Sequence, residues 1–323
     1  MITKNLILAL DFGGTKHAAA IVAPGERQWL KHQRAFAPQG ADAKSDLEIM
    51  RSLAHDLLLG EKPAAVGVSF GGPVDATTGT VHLSHHVPGW ENIPLGELLL
   101  AEFDAPVSVD NDANVAALGE HRFGAGQGYS SLLYITVSTG VGGGWILNGR
   151  PWRGVEGMAG EIGHMVVDPS GPLCLCGKRG CVERLSSGPY MALAAQERLH
   201  SQPEQGQVLR ALSGDDLDSI TAQMVSQAAV QGDELALAVL ERAGWALGVA
   251  IGNVANLMNP QRFVLGGGVT AAGDRFWEVV HRVARETALP EVHFDIVPAK
   301  LGDQAPLWGA VALAEDLLGR KLI

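Results

Sequence analysis

Three short, largely apolar runs, residues 6–10, 132–137 and 262–265, the last opened by Arg262, each pass almost directly into glycines. The sequences that follow them are Asp11-Phe12-Gly13-Gly14-Thr15-Lys16, Ser138-Thr139-Gly140-Val141-Gly142-Gly143-Gly144 and Gly266-Gly267-Gly268. Continuous apolar runs of this length read as strands buried on both faces. Helical segments alternate with them: Leu47, Met50, Leu53, Ala54, Leu57 and Leu58 recur at helical spacing, and 235–257 reads as a long core helix. Residues 64–69 form another strand, ending in Gly71-Gly72-Pro73. Residues 107–110 are a further strand, after which Asn111-Asp112-Ala113-Asn114 opens a helix through Ala116, Ala117 and Glu120. The class is therefore α/β, and 323 residues exceed one ordinary core, which suggests two domains.

Composition narrows the function classes. Hydrophobic residues make up 46% and charged residues 18%, a balance that suits a compact enzyme and not a disordered chain. The net charge of −11, from 24 basic and 35 acidic residues with no basic run, argues against nucleic acid or an anionic membrane as partner. The first residues lead into an apolar strand without the organisation of a signal peptide, and no apolar run reads as membrane-spanning. Cytoplasm is the expected compartment, where reduced thiols suit metal binding.

Glycine turns after strands let backbone N–H groups approach a polyphosphate. In the first turn Gly13 and Gly14 permit that approach, Thr15 and Lys16 offer a hydroxyl and a cation, and Asp11 can hold magnesium or its water. A plain Gly-Gly hairpin accounts for the same residues. The loop from Ser138 to Gly144, before a strand and an Asn148-Gly149 turn, also suits phosphates, and two such loops look like two jaws on one nucleotide. Bare backbone at Gly266, Gly267 and Gly268 could face an adenine ring. Asp112, at a helix start, reads either as an N-cap or as a general base.

All three cysteines lie in the pattern His164-(9 residues)-Cys174-x-Cys176-(4 residues)-Cys181. Three thiolates and one imidazole match a closed tetrahedral zinc centre of structural type. A disulfide would leave one thiol over, and Cys174 and Cys176 are too close in sequence for an easy bridge. Glu161 and Glu183 flank the motif. A partly buried carboxylate there needs a partner such as a sugar hydroxyl, whereas surface acids would need none.

The motifs at 11–16, 110–114, 140–144, 160–164 and 174–183, taken together, resemble those of the ROK family of sugar kinases and sugar-responsive repressors, within the actin, Hsp70 and hexokinase superfamily. The resemblance covers essentially the whole chain. It implies two ribonuclease-H-like (actin-like ATPase) α/β domains around a cleft with a hinge. Residues 1–118 plus 305–323 would form the first, with a phosphate loop and Asp112. Residues 119–304 would form the second, with the other phosphate loop, the zinc loop and the adenosine site. The implied activity is ATP-dependent phosphorylation of a hexose hydroxyl, foremost glucose to glucose 6-phosphate. Asp112 would be the catalytic base, and Gly72, Asn111, Glu161, His164 and Glu183 would bind the sugar with it. Asp11 would position Mg²⁺. Gly13, Gly14, Thr15, Lys16, Ser138, Thr139 and Gly140 would meet the phosphates of ATP, and Gly266, Gly267 and Gly268 the adenosine. His164, Cys174, Cys176 and Cys181 would hold Zn²⁺, with the second nitrogen of His164 turned to the sugar. The helix dipole is expected to keep Asp112 ionised. A homodimer or dimer of dimers is the family expectation.

Two positions depart from the family pattern. Trp145 replaces a smaller aliphatic residue, and His86 stands where many hexose kinases carry a sugar-binding asparagine. They bear on which substrate is preferred. An N-acylhexosamine kinase, for N-acetylmannosamine or N-acetylglucosamine, is the alternative. A sugar-sensing regulator ranks below it, because the fold starts at residue 5, leaving no room for a DNA-reading helix, and the chain is acidic.

Overall fold

A computed structural model describes residues 5–14, 16–84 and 86–320. The chain divides into two compact units, one of Met1–Ser130, Gly144–Ala159 and Lys300–Ile323, the other of Ser131–Gly143 and Gly160–Ala299. The break falls later than the expected residue 118, and residues 144–159 and 300–304 group with the first unit. Two contacts account for the difference. A Cβ on Gly144 would lie 2.3 Å from the Ala113 carbonyl oxygen, so this segment is seated on the helix that starts at Asp112. The buried Glu120 carboxylate accepts from the backbone N–H groups of Lys300 and Leu301, at 3.1 and 2.7 Å.

In the first unit the sheet runs β3-β2-β1-β4-β7, from β1 (Ile7–Phe12), β2 (Lys16–Val22), β3 (Lys31–Phe36), β4 (Ala65–Phe70) and β7 (Val107–Asn111). β1 pairs antiparallel with β2 and parallel with β4, and β4 pairs parallel with β7. A two-stranded ribbon, β5 (Val74–Asp75) and β6 (Thr80–Val81), follows β4. On one face α1 (Ala43–Leu58) and α2 (Leu95–Phe103) close a core of Leu8, Leu10, Val66, Val68 and the ring cluster Phe12, Phe70 and Trp90. On the other, α3 (Asp112–Phe123) and α10 (Ala305–Arg320) pack together and onto the sheet. Glycines permit that contact: a Cβ on Gly67 would stand 1.7 Å from the Ala310 carbonyl oxygen, and one on Gly309 1.8 Å from that of Val115. With helices on both faces, β1 and β4 have no need of polar alternation, which is why they read as unbroken apolar runs.

The second sheet has the order β10-β9-β8-β11-β12, from β8 (Leu132–Val137), β9 (Val141–Leu147), β10 (Arg150–Trp152), β11 (Arg262–Gly266) and β12 (Asp295–Pro298). The end of β9 and all of β10 belong to the first unit. In chain order this repeats the pattern of the first sheet, with a central strand, a neighbour, an edge strand, and two more strands on the other side. The helices of the second unit are α4 (Val182–Ser186), α5 (Gly188–Ser201), α6 (Gln207–Ser213), α7 (Ala222–Val230), α8 (Glu234–Met258) and α9 (Asp274–Thr287). By length and composition alone, α8 is long and apolar enough to cross a membrane. It is a core helix instead. Most of it is buried, and Gly244, Gly248 and Gly252 form a groove into which Val279, Val283 and Thr287 of α9 fit.

Candidate active site and metal centre

In the first unit the carboxyl ends of β1, β4 and β7 carry one row of polar residues. Asp11 lies opposite Ser69, and Ser69 opposite Asp110. Gly13 turns tightly, since a Cβ there would meet the Lys16 carbonyl oxygen at 2.7 Å. Gly14 supports the His86 ring, whose atoms a Cβ would meet at 3.2 to 3.4 Å. Lys16 opens β2 and reaches Asp303 at 3.5 Å, while Thr15 lies outside the described residues.

The start of α3 shows which residue caps it. Asn111 is the cap: its side-chain oxygen accepts from the backbone N–H groups of Ala113 and Asn114, at 3.0 and 3.4 Å. Its amide nitrogen donates to the Gly72 carbonyl at 3.1 Å and to Asp112 Oδ1 at 3.0 Å. Ala113 N–H donates to the same Asp112 oxygen at 2.8 Å. Asp112 is thus the first residue inside the helix, with Oδ1 held by two donors. Its Oδ2 lies beside Gly71, 3.9 Å from where a Cβ would be, and forms no hydrogen bond with any described residue.

Against the helix dipole, which favours the Asp112 anion, stands burial. Part of the residue meets solvent, yet the depth of its surroundings outweighs the donors from Ala113 and Asn111 and the nearby charge of His86, so its carboxyl is raised above the usual range. Asp11 is raised to about 6, chiefly by burial, with the negative field of Asp112 adding to it. The Ser69 hydroxyl, close but without good hydrogen-bonding geometry, offsets part of this, as do Lys16 and His17. Two neighbouring carboxylates that resist ionisation suit a site that receives a divalent cation and accepts a proton.

In the second unit the four metal-ligand candidates converge. One ligand atom each of His164, Cys174, Cys176 and Cys181 lies within 4.8 Å of all the others. The Cys176 and Cys181 sulfurs are 3.5 Å apart, close to the ~3.8 Å edge of a zinc-thiolate tetrahedron. His164 Nδ1 is buried without a hydrogen-bond partner, as a nitrogen directed at a metal should be. The Cys176 thiol is lowered to about 7, chiefly by the Lys178 backbone N–H, and burial raises Cys181. The cysteines are not joined in a disulfide. Gly180 closes the loop at φ +66°, so near Asp168 that a Cβ would overlap its carbonyl. The residues fit a structural zinc.

Cys181 is also the residue before α4, and two positions on, Glu183 Oε2 accepts from the Val141 N–H at 2.9 Å. Glu183 therefore ties the zinc loop to the turn Ser138-Thr139-Gly140, a link that spacing could not show. Glu161 directly precedes the short 3-10 turn Ile162–His164, makes no side-chain capping bond and is exposed. Gly142, Gly143 and Gly144 lie in β9, outside the expected phosphate loop, and the last two serve close packing: a Cβ on Gly143 would meet the Gly160 carbonyl oxygen at 2.7 Å.

A cavity of about 760 Å³ opens beside this turn, lined by Ser138, Thr139, Met191, Gln223, Gln227 and Gly268 among others. Its size lies within the general range of small-molecule and cofactor pockets. Of the three expected adenosine glycines, only Gly268 lines it. Gly266 packs on Tyr134, and Gly267, at φ +88°, packs on Val137. The wall from α5 and α7 was not anticipated, because small and amide residues on helices carry no motif.

The motif reading gains independent support from known proteins. The model of the ROK family matches residues 7–317. The chain belongs to the ROK family. A glucokinase of Streptomyces coelicolor is 34% identical over 97% of this ROK chain and 98% of its own. An N-acetylmannosamine kinase of Haemophilus influenzae is 32% identical over 96% of each. Among solved structures, a ROK family glucokinase from Streptomyces griseus in complex with glucose and AMPPNP superposes with a TM-score of 0.81 at 34% identity, covering 96% of this chain and 99% of that one. The two sheets are those of the actin-like ATPase fold.

Proposed function

We propose that this ROK protein is an ATP-dependent sugar kinase that phosphorylates a hexose hydroxyl, glucose at its 6-hydroxyl first among the candidates. The observation that carries this is Asp112, with one oxygen held by two donors and the other free. A base needs that division: the held oxygen fixes the carboxylate, and Oδ2 meets the hydroxyl proton as the oxygen attacks the γ-phosphorus. A raised carboxyl keeps more basicity for that transfer. Phosphoryl transfer otherwise depends on placing charge, so the first turn with Lys16 and the Ser138–Gly140 turn would hold the phosphates, and the cavity by Gly268 the adenosine. Asp11 would ligate Mg²⁺, which neutralises charge on the transferring phosphoryl group. Cys174, Cys176, Cys181 and His164 Nδ1 would hold a structural Zn²⁺, which cross-links the loop carrying His164 and Glu183. Asn111, Gly72, Glu161, His164 and Glu183 would complete sugar binding.

The likeness to N-acetylmannosamine kinase keeps an N-acylhexosamine as the second substrate class, and the exposed His86 beside Gly14 is the residue expected to bear on the choice. Coupled ADP release with MgATP against glucose, mannose, fructose, N-acetylglucosamine and N-acetylmannosamine tests the reading. Strongest turnover on glucose supports the first substrate, preference for an acetylated sugar supports the second, and no turnover with any sugar contradicts the kinase.

A further inference from the structure

Asp110 is a carboxylate only 1% exposed at the end of β7, two residues before Asp112. Its Oδ1 accepts from the Asn111 backbone N–H at 2.8 Å and from the Asn114 amide at 3.3 Å. Its Oδ2 receives Arg153 Nε at 2.7 Å and Nη2 at 2.6 Å. Arg153 follows β10, which packs on α3, and its own carbonyl accepts from Ala159 N–H at 2.9 Å, closing the loop behind it. A buried anion held this way depends on its cation, because removing Arg153 leaves Oδ2 without a donor and the buried charge uncompensated. Arg153 does more than satisfy Asp110. The oxygens of Asp110 bind both the peptide N–H of Asn111 and the side chain of Asn114, so the guanidinium fixes the two residues that flank Asp112 and Ala113. It also compensates one carboxylate of a row that already holds Asp11, with Asp112 close by.

Resting on the assignment of Asp112 as base, we propose that Arg153 is a positioning residue for phosphoryl transfer. By saturating Asp110, it holds the β7–α3 junction in the geometry that aims Asp112 and keeps a third negative charge out of the site. The guanidinium itself touches no reacting atom. The charged groups facing Asp112 are Asp11 from β1 and His86 from the segment after β6, with Lys16 of β2 acting on Asp11.

The test compares wild type with Arg153→Met, Arg153→Lys and the double variant Asp110→Asn/Arg153→Met. Each is measured for melting temperature, for kcat and KM toward sugar and MgATP, and for the pH dependence of kcat/KM. Misplacing a reacting group by about 1 Å costs ~10²-fold, so Arg153→Met is expected to lower kcat by that order with little change in either KM. Its acid limb should move to higher pH, because the uncompensated Asp110 opposes ionisation of Asp112. Arg153→Lys, which keeps the charge but not the fork, should fall between. The double variant should return the limb toward wild type. If Arg153→Met does not fold, the double variant, which leaves no lone buried anion, carries the test: kcat more than ~10-fold down supports the proposal, and wild-type kcat overturns it. A folded Arg153→Met with unchanged kcat and acid limb also overturns it, as does a loss that only tracks the unfolded fraction. Asp112→Asn run alongside separates the two readings, since its retention of turnover would remove the base assignment itself.

Discussion

Asn111 and Asp112 divide the start of α3 between them: the Asn111 side-chain oxygen caps the helix, and its amide nitrogen, 3.0 Å from Asp112 Oδ1, leaves the neighbouring carboxylate one oxygen to use. Adjacent residues that could each have been the cap thereby take different work.

The two halves of Asn111 should separate on substitution. Asn111→Ala loses the cap and is expected to cost ~1 kcal/mol of stability. Asn111→Asp keeps a capping oxygen but faces Asp112 with an acceptor instead of a donor. Its melting temperature should stay near wild type while kcat falls. Thermal denaturation beside turnover reads both, and equal kcat in Asn111→Asp would mean that the amide does not orient Asp112.

Asp11 carries a pH signature. Its folded pKa of about 6 exceeds the ordinary aspartate value of 3.8, so between those values the folded chain binds more protons than the unfolded one, and stability falls as pH rises through the window. Above pH 6 the penalty is complete, at most ~3 kcal/mol. Asp11→Asn removes it. Without nucleotide or magnesium, the variant should melt higher than wild type at pH 7.5, and the gain should shrink toward pH 4, while magnesium-dependent turnover is lost. A gain that does not vary with pH would contradict the assignment.

Neighbouring glycines by the cavity should behave oppositely. A Cβ at Gly268 meets nothing within 4 Å, so Gly268→Leu should fold and raise the KM for MgATP by filling the pocket. At Gly267 the backbone is left-handed and a Cβ would lie 2.4 Å from the Val137 carbonyl, so Gly267→Ala should lower the melting temperature. Nucleotide titration and thermal denaturation of both variants check the contrast.

Metal removal should propagate through Glu183. Cys176→Ser, at the exposed thiol, is expected to lower bound zinc and melting temperature and to raise the sugar KM, because α4, which carries Glu183, begins directly after Cys181. Metal analysis with sugar titration decides it. A metal-free variant with normal sugar KM would show that the loop is held without zinc.

The strands, the α/β class and the convergent Cys/His cluster were legible because each has a local signature: apolar runs buried on both faces, glycines at their ends, and cysteines at ligand spacing. What escaped depends on distant contacts. Arg153 is ordinary in sequence, and only the fold brings it to Asp110. Gly143 and Gly144 look like part of a phosphate loop, and Gly266 and Gly267 like an adenosine contact, because a glycine required by close packing has the same letter as one required by a ligand. Asp112 and Asn111 could not be ranked as caps until the hydrogen bonds assigned the role, and the balance between helix dipole and burial at Asp112 depends on depth, which local sequence does not encode.

The most direct test of the central claim is Asp112→Asn, measured for MgATP-dependent turnover on the preferred sugar and for binding of that sugar. The amide keeps the size of the side chain and its bonds, so sugar affinity should stay near wild type while kcat falls by about 10² to 10⁴-fold. Turnover at the wild-type rate would contradict Asp112 as the base.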